Sequence, residues 1–428
     1  MRLIKRLSLC LMLIPVLLSG QLKVEGTLVD SLTQEPIPFA NVWLKGTSNG
    51  TLTNNLGRFT IEVDTSLSDS LEFSLIGYNP KKHNIHLIPK LRPFWIELSS
   101  KSFELNAVII TPITAQEYIR RAIISIENNY DIGGRKDRYY YREVIKENGT
   151  YNRFTEAVLD LYQPRLNPSV HDTAIIRIKG GQVLDNAEYI KFMRKSIKRK
   201  VDKDNKKRVK KGELTKEFTD ATEYISFSSP YIFIDSNFTT KAPSFLDSIH
   251  FDKYEYQIEY GYQSKGRDML CVSFNQKKKV YDNLHCGYIY IVDSSYAIEG
   301  IDYGWSEKGK KQLIPAWAKA ALWVYRLQID DPDLVAKIRF NESNGKWSLD
   351  HYFINLSGRF TKKYFFDDNE SSRFDINQSF VFIEPLSELN PKDSLLKRNV
   401  PLHKQVKTSN KKLDWNKYRK LEPENLKK

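Results

Sequence analysis

Alternating apolar and polar positions dominate the chain, and they fall into two blocks. In the first block "KVEGTLVD", "ANVWLKG", "GRFTIEV", "DSLEFSLIGY", "KHNIHLIP" and "PFWIELSS" follow one another at intervals of about ten residues. Gly, Pro and Asn stand between them. Short period-two runs at that spacing predict a β-sandwich over residues 21–100. An exit strand, "LNAVIITP", is then expected, after which the period changes. "TAQE", Thr114 to Glu117, is a capping box. Ile119, Ala122, Ile123 and Ile126 recur at helical spacing and predict a packing helix to about Asn129, inside a linker of residues 101–135.

The second block, residues 136–390, returns to period two. "RYYYREVIKE" and "TYNRFTEAVLDLYQ" read as a hairpin turning at "ENGTYN", and "TAIIRIKGGQV" follows. From Phe251 to Tyr303 "YEYQIEYGY", "DMLCVSFNQ", "HCGYIYIVD" and "YAIEGIDYG" form a meander. "DDPDLVAKIRFNESNGKWSLDHYFINLSGRF" continues it through a turn at "ESNG", and "QSFVFIE" adds a strand. The product is an antiparallel sheet with one apolar face. "LIPAWAKAALWVYRL" fits either state: Trp317, Ala321 and Val324 suit a helix, "ALWVYRLQI" a strand. The expected fold class is mainly β, an N-terminal sandwich followed by a larger antiparallel β-rich domain with a packing helix. A basic insertion near 191–216 holds about a dozen Lys and Arg and reads as a solvated, mobile segment, with contact to an anionic surface as the alternative. Residues 391–428 read as a basic tail.

Residues 1–20 change the compartment. Arg2, Lys5 and Arg6 precede an apolar run, Leu7 to Leu18, and small residues at Ser19 and Gly20 suit cleavage, so a secretory signal is expected with Gln21 as the mature start. "LLSG" lacks the following Cys of a lipobox, so no lipid anchor is expected. No later run is long and apolar enough for a transmembrane helix. The formal charge is +14, of which the signal carries three basic residues, leaving about +11 after export (14 − 3). Export disfavours nucleic acid as partner. An outer-membrane protein, or a lipid or other anionic envelope surface, is the expected counterpart, against simple solubility. Cys10 leaves with the signal. An oxidising compartment allows Cys271 and Cys286 to pair across a hairpin, and two buried thiols are the alternative.

Within the first block Gly26, Asp30, Pro36, Ala40, Val42, Gly46, Gly50, Thr51, Thr53, Asn54, Gly57, Phe59, Ser74, Gly77 and Tyr78 carry a pattern. By these residues the segment Leu22 to Ser99 resembles the carboxypeptidase-regulatory-like domain, with Asn54 where Asp is usual. The resemblance implies a seven-stranded transthyretin-like sandwich, common at the N-termini of exported and outer-membrane proteins of Bacteroidota. "YREVIKENGTYNRFTEAVLDLY", "CGYIYIVDSSYAIEGID" and "DWNKYRKLEPENLKK" give a looser resemblance to uncharacterised Bacteroidota envelope proteins. Those place this domain before a curved sheet similar to the lipoprotein-carrier half-barrel, and longer members continue into an outer-membrane barrel. Here the chain stops after "EPENLKK", which implies either a barrel-less member or a truncated one.

Candidate chemistry is sparse. "GTSNG", Gly46 to Gly50, spells a nucleophile elbow around Ser48, but an elbow needs a helix after it, and turn-rich "TLTNNLGRF" follows. The glycines read as turn residues. His83, His86, His171, His250, His285, His351 and His403 form no zinc-peptidase motif. His83 and His86 are three apart in an expected strand and face opposite sides. Asp330, Asp331, Asp333, Asp367, Asp368 and Glu370 lack the order of a calcium loop. No cofactor, metal or catalytic residue is assigned. Tyr254, Tyr256, Tyr288, Tyr290 and Tyr303 are candidates to line an apolar cleft that holds an acyl chain or apolar peptide, against plain core packing. The favoured function is a non-enzymatic cell-envelope protein with a docking sandwich, in the periplasm and associated with the outer membrane. A lipid or lipoprotein carrier is the first alternative, and a hydrolase with unrecognised residues the second.

Overall fold

The computed structural model describes residues 21–45, 50–54, 56–66, 68–75, 78–88, 94–100, 113–132, 134–164, 173–185, 191–215, 229–239, 242–264, 266–314, 319, 322–365, 368–409 and 413–421. The chain divides into two compact units, Met1–Glu104 with Arg419–Lys428, and Leu105–Tyr418.

The first unit holds β1 (Gln21–Asp30), β2 (Asn41–Leu44), β3 (Gly50–Leu52), β4 (Arg58–Asp64), β5 (Ser70–Ser74), β6 (Lys81–Asn84) and β7 (Phe94–Leu98). They form two sheets, β4-β1-β7 and β3-β2-β5-β6, with β7 parallel to β1. Alternation turns Val24, Leu28, Phe59, Ile61 and Ile96 of one sheet towards Val42, Leu44, Leu71 and Phe73 of the other, giving one core. Phe59 meets Phe73 and Phe94 edge-on at 5.5 and 5.9 Å. This is the seven-stranded sandwich expected from the sequence.

The turn motif has a physical basis. Asn54 Oδ1 accepts from the backbone N–H of Leu56 and Arg58 at 2.9 and 3.1 Å. Gly57 has φ +68°, and a Cβ there would lie 2.4 Å from the Leu28 carbonyl oxygen. Thr53, fully buried, accepts from Ala40 N at 2.8 Å and donates to Ile37 O at 2.7 Å. Thr53→Val keeps the shape but leaves both backbone groups unpaired. Urea unfolding is expected to show a loss of about 1–3 kcal/mol.

The second unit contains β8 (Arg135–Glu147), β9 (Thr150–Gln163), β10 (Ile175–Asp185), β11 (Tyr254–Ser264), β12 (Arg267–Gln276), β13 (His285–Val292), β14 (Ile298–Trp305), β15 (Leu327–Ser343), β16 (Lys346–Lys362), β17 (Glu370–Pro385) and β18 (Ser394–Leu395). They make one antiparallel sheet in the order β11-β12-β13-β14-β15-β16-β17-β8-β9-β10-β18. The late meander therefore joins the early hairpin through the β17–β8 ladder. Asn344 and Gly345, both at positive φ, turn β15 into β16 at the expected "ESNG".

Thr114 caps the helix Ala115–Ile124 by accepting from Glu117 N at 3.2 Å. Its buried residues are Ala115, Tyr118, Ile119 and Ala122. The helix breaks at Ser125, earlier than the apolar spacing suggests, and a separate turn runs Ile126–Asn129.

Three expectations need correction. The basic insertion is an ordered helix, Arg194–Lys210. Among the described residues of 391–428, the expected tail, β18 pairs with β10, and the helix Leu402–Ser409 buries Leu402 and Val406 in the core of the second unit. At the end of the first unit Leu421 bridges Leu52, and the Lys420 carbonyl accepts from Thr51 Oγ1 at 3.0 Å. "KHNIHLIP" is a strand only to Asn84. Asn84 Oδ1 then accepts from His86 N at 2.8 Å and starts a 3-10 turn, Ile85–Leu87. The strand "LNAVIITP", together with Trp317 and Ala321, lies outside the described residues.

Candidate ligand-binding face

Successive side chains of a strand point to opposite sides, so each row across the sheet belongs to one face. One row runs Val272, Ile289, Ile301, Ile338, Tyr352, Phe380, Tyr141 and Ala157 across eight neighbouring strands. All of these are buried and apolar or aromatic. The next row is Cys271, Tyr290, Gly300, Arg339, His351, Val381, Tyr140 and Val158. It lies on the other face and mixes apolar with ionisable groups.

The apolar face is closed by residues 229–239 and 242–253. This cover holds one short helix, Tyr231–Asp235, and two 3-10 turns, Ser244–Leu246 and Ser248–Lys253. Its aromatic side chains do the covering. Phe233 stacks on Phe380 at 5.1 Å and meets Tyr352 and Tyr141 edge-on at 5.1 and 6.1 Å. Phe238 packs on Phe340 at 4.8 Å, and Phe245 stacks on Phe274 at 4.3 Å. Two directional bonds fix the second half of the cover. The Ser244 and Tyr254 hydroxyls lie 2.7 Å apart, and the Tyr256 hydroxyl donates to the Phe245 carbonyl at 2.9 Å.

The five candidate tyrosines do not share one cleft. Tyr254, Tyr256 and Tyr303 belong to the covered face, where Tyr303 lies 5.4 Å from Phe245. Tyr288 and Tyr290 point the other way, because Ile289 and Ile291 take the inward positions of β13. Tyr288 is 46% exposed, and Tyr290 donates to Asp302 Oδ2 at 3.2 Å. The aromatic cover itself, in "YIFIDSNF" and "PSFLDSIHF", has no period that announces it.

His285 sits against the cover, 6.1 Å from Phe245 and 5.3 Å from Tyr303. Burial pulls its pKa down to about 4 from the ordinary 6.5. Above pH 6.5 the imidazole is neutral in both the folded and the unfolded chain. Below it the unfolded chain takes up a proton that the folded one refuses, so stability falls between 6.5 and about 4. The full loss is about 3 kcal/mol. Denaturation of wild type and His285→Gln at pH 7 and pH 4.5 is expected to show a smaller acid loss in the variant.

The opposite face carries paired charges. Arg339 Nη1 donates to Asp302 Oδ1 at 2.6 Å. Burial pushes the Asp302 pKa up, but Arg339, Lys337 and Tyr290 outweigh it and hold the carboxyl below its usual value. Arg138 forks onto Asp160 at 2.7 and 3.0 Å, and buried Glu156 accepts from Tyr140 and Gln182.

Cys271 and Cys286 are free thiols. Cys271 opposes Tyr290, four residues along β13 from Cys286. At the strand rise that is about 13 Å, beyond the reach of a disulfide. Burial pushes the Cys271 thiol up to about 12, which suits an inert core group. The acidic clusters are engaged locally. Asp331, at φ +48°, lies in a bulge of β15, Asp333 pairs with Lys310 at 3.1 Å, and Glu370 accepts from Met193 N at 2.7 Å. Ser48 and Asp367 lie outside the described residues. Among the described residues no three His, Cys, Asp or Glu side chains converge to hold a metal, and no helix is long and apolar enough to cross a membrane.

Residues 24–110 match the family model of the CarboxypepD_reg-like domain. Among solved structures the chain is similar to a LolA superfamily protein from Nitrosomonas europaea, at 9% identity and TM-score 0.23, over 65% of this chain and 96% of that one. It is similar to a DUF1329 family protein from Desulfovibrio piger, at 10% identity and TM-score 0.22, over 63% and 93%. A third is a putative membrane-associated protein of unknown function from Bacteroides fragilis, at 11% identity and TM-score 0.14, over 85% and 98%. No curated protein matches the chain.

Proposed function

We propose that this is an exported, non-catalytic cell-envelope protein whose larger unit carries an acyl chain on the sheet face now covered by residues 229–239 and 242–253. The sandwich serves as its docking module. The observation that carries this reading is the make-up of the cover. Helices and 3-10 turns this short have little stability of their own. Burial of Phe233, Phe238, Phe245 and Leu246 holds the segment in place. Burial of that kind is non-directional, and a lipid chain supplies the same apolar surface. A ligand on this face therefore replaces the cover's contacts instead of adding to them.

Binding is then limited by the fraction of molecules whose cover is open, and weakening the cover raises apparent affinity. Tyr256→Phe removes the bond to the Phe245 carbonyl and leaves an apolar lining. It is expected to lower stability by about 1 kcal/mol and tighten binding of a fluorescent fatty acid about fivefold. Lower stability with no binding by either protein would mean that the face is a closed core, and the carrier reading would fall.

A further inference from the structure

The helix Arg194–Lys210 carries ten Lys and Arg against two acids, Asp202 and Asp204. Its inner side is well anchored. Phe192 and Ile197 are buried with Ile145, Phe374 and Ile376, and Phe192 lies 5.9 Å from the Phe374 ring. The approach to the helix is clasped by carboxylates. Glu147 accepts from the backbone N–H of Lys191 and Phe192 at 2.8 and 3.0 Å, and Glu370 accepts from that of Met193 at 2.7 Å. These acids offset the misplaced Arg194 and Lys195 at the positive end of the helix dipole. The helix is therefore set on the sheet at a fixed attitude.

Its outer side follows from the helical period. With Ile197 and Val201 turned inward, Lys195, Lys203, Lys206 and Lys210 fall on the opposite side, and all four are exposed. Lys203–Lys207 and Lys206–Lys210 are like-charged neighbours at i,i+4, a spacing that destabilises an isolated helix. Asp202, four residues from both Lys198 and Lys206, offsets part of this, and a partner rich in negative charge removes the rest. Exposed apolar groups lie at the same end. Val209 is 63% exposed and Leu214 88% exposed. The chain folds back after the helix, with Arg208 Nε donating to the Leu214 carbonyl at 2.6 Å, which keeps Leu214 beside the lysines.

We propose that this face binds the surface of an anionic phospholipid bilayer. Lysines meet the phosphates, and Val209 and Leu214 enter the headgroup layer. The combination is what selects a membrane. Nucleic acid or an acidic protein would satisfy the lysines but give no use to an exposed leucine, whereas an interfacial helix uses both. The helix packs further along the same face of the sheet, over Ile145 and Ile376, but its lysines point away from the sheet and their test does not involve the cover.

The test is co-sedimentation of the full chain with vesicles of phosphatidylcholine alone and of phosphatidylcholine with one-third phosphatidylglycerol. Binding to the anionic vesicles only is expected. Each lysine is worth roughly fivefold near such a surface, so Lys195→Gln, Lys203→Gln, Lys206→Gln and Lys210→Gln combined should weaken binding by about a hundredfold or more, with an unchanged melting midpoint. Leu214→Ser should weaken vesicle binding severalfold and leave binding to heparin, a soluble polyanion, unaltered. Equal binding to both vesicle types, or full binding by the four-lysine variant, would overturn the proposal. So would a Leu214→Ser variant that binds vesicles like wild type, which would reduce the face to a general polyanion site.

Discussion

Phe233→Ala is expected to lower the stability of the larger unit by about 3–5 kcal/mol and, at the same time, to tighten its binding of an acyl probe. The first effect follows from packing. Phe233 has no exposed surface and touches three rings on three adjacent strands, those of Tyr141, Tyr352 and Phe380. Its removal leaves a cavity in the middle of the apolar row. The second effect follows from the role of the cover. The lost contacts hold residues 231–235 onto the face that the ligand needs, so their loss favours the open form. The emptied site is also apolar and of the kind that stays dry and accepts an apolar guest. A purely structural core would lose stability and gain no binding, so the opposite signs of the two effects separate the readings. Urea unfolding and titration with a fluorescent fatty acid measure both on the same preparation.

Asp302→Ala should be nearly as damaging, for a different reason. Arg339 is 8% exposed, and its guanidinium donates to Asp302 and to the Ile338 carbonyl. Removing the carboxylate leaves a buried cation with backbone oxygen as its remaining listener, at a cost of about 3 kcal/mol, the lower end of the range because Asp302 retains some solvent contact. Arg339→Met in the same chain should recover most of that loss, since an apolar side chain needs no counter-charge. Acyl binding is expected to stay unchanged in both variants, because this pair lies on the face opposite the cover. Equilibrium unfolding of the single and double variants, with the same probe titration, checks each part.

Local chemistry was the legible part of the sequence. Thr53, Asn54 and Gly57 each satisfy a demand of one turn, so their spacing reveals the turn. The strands of the second unit show because apolar and polar residues alternate along them, even in β8 and β9, which are buried on both faces. Two things were not legible. A bulge shifts register without changing composition, and the shifts in β13–β14 and β11–β12 decide which neighbours share a face. Aromatic character alone groups Tyr288 and Tyr290 with Tyr303, while the parity of β13 sends them to the other side. The cover was hidden because its apolar residues are spaced by irregular turns and gain their places from the sheet. The pairing of β17 with β8 joins segments more than two hundred residues apart, which no local pattern encodes. The charge of helix 194–210 suggests a mobile segment because it masks the two residues, Ile197 and Val201, that face inward.

The most direct test of the central claim is amide hydrogen exchange across residues 231–253, with and without a saturating long-chain fatty acid. Exchange in this segment is expected to speed up when the ligand binds, while β12 to β16 stay protected, because the acyl chain takes the place of the cover. Exchange that slows in the segment, or is the same with and without ligand, would contradict it and leave the apolar face as a sealed core.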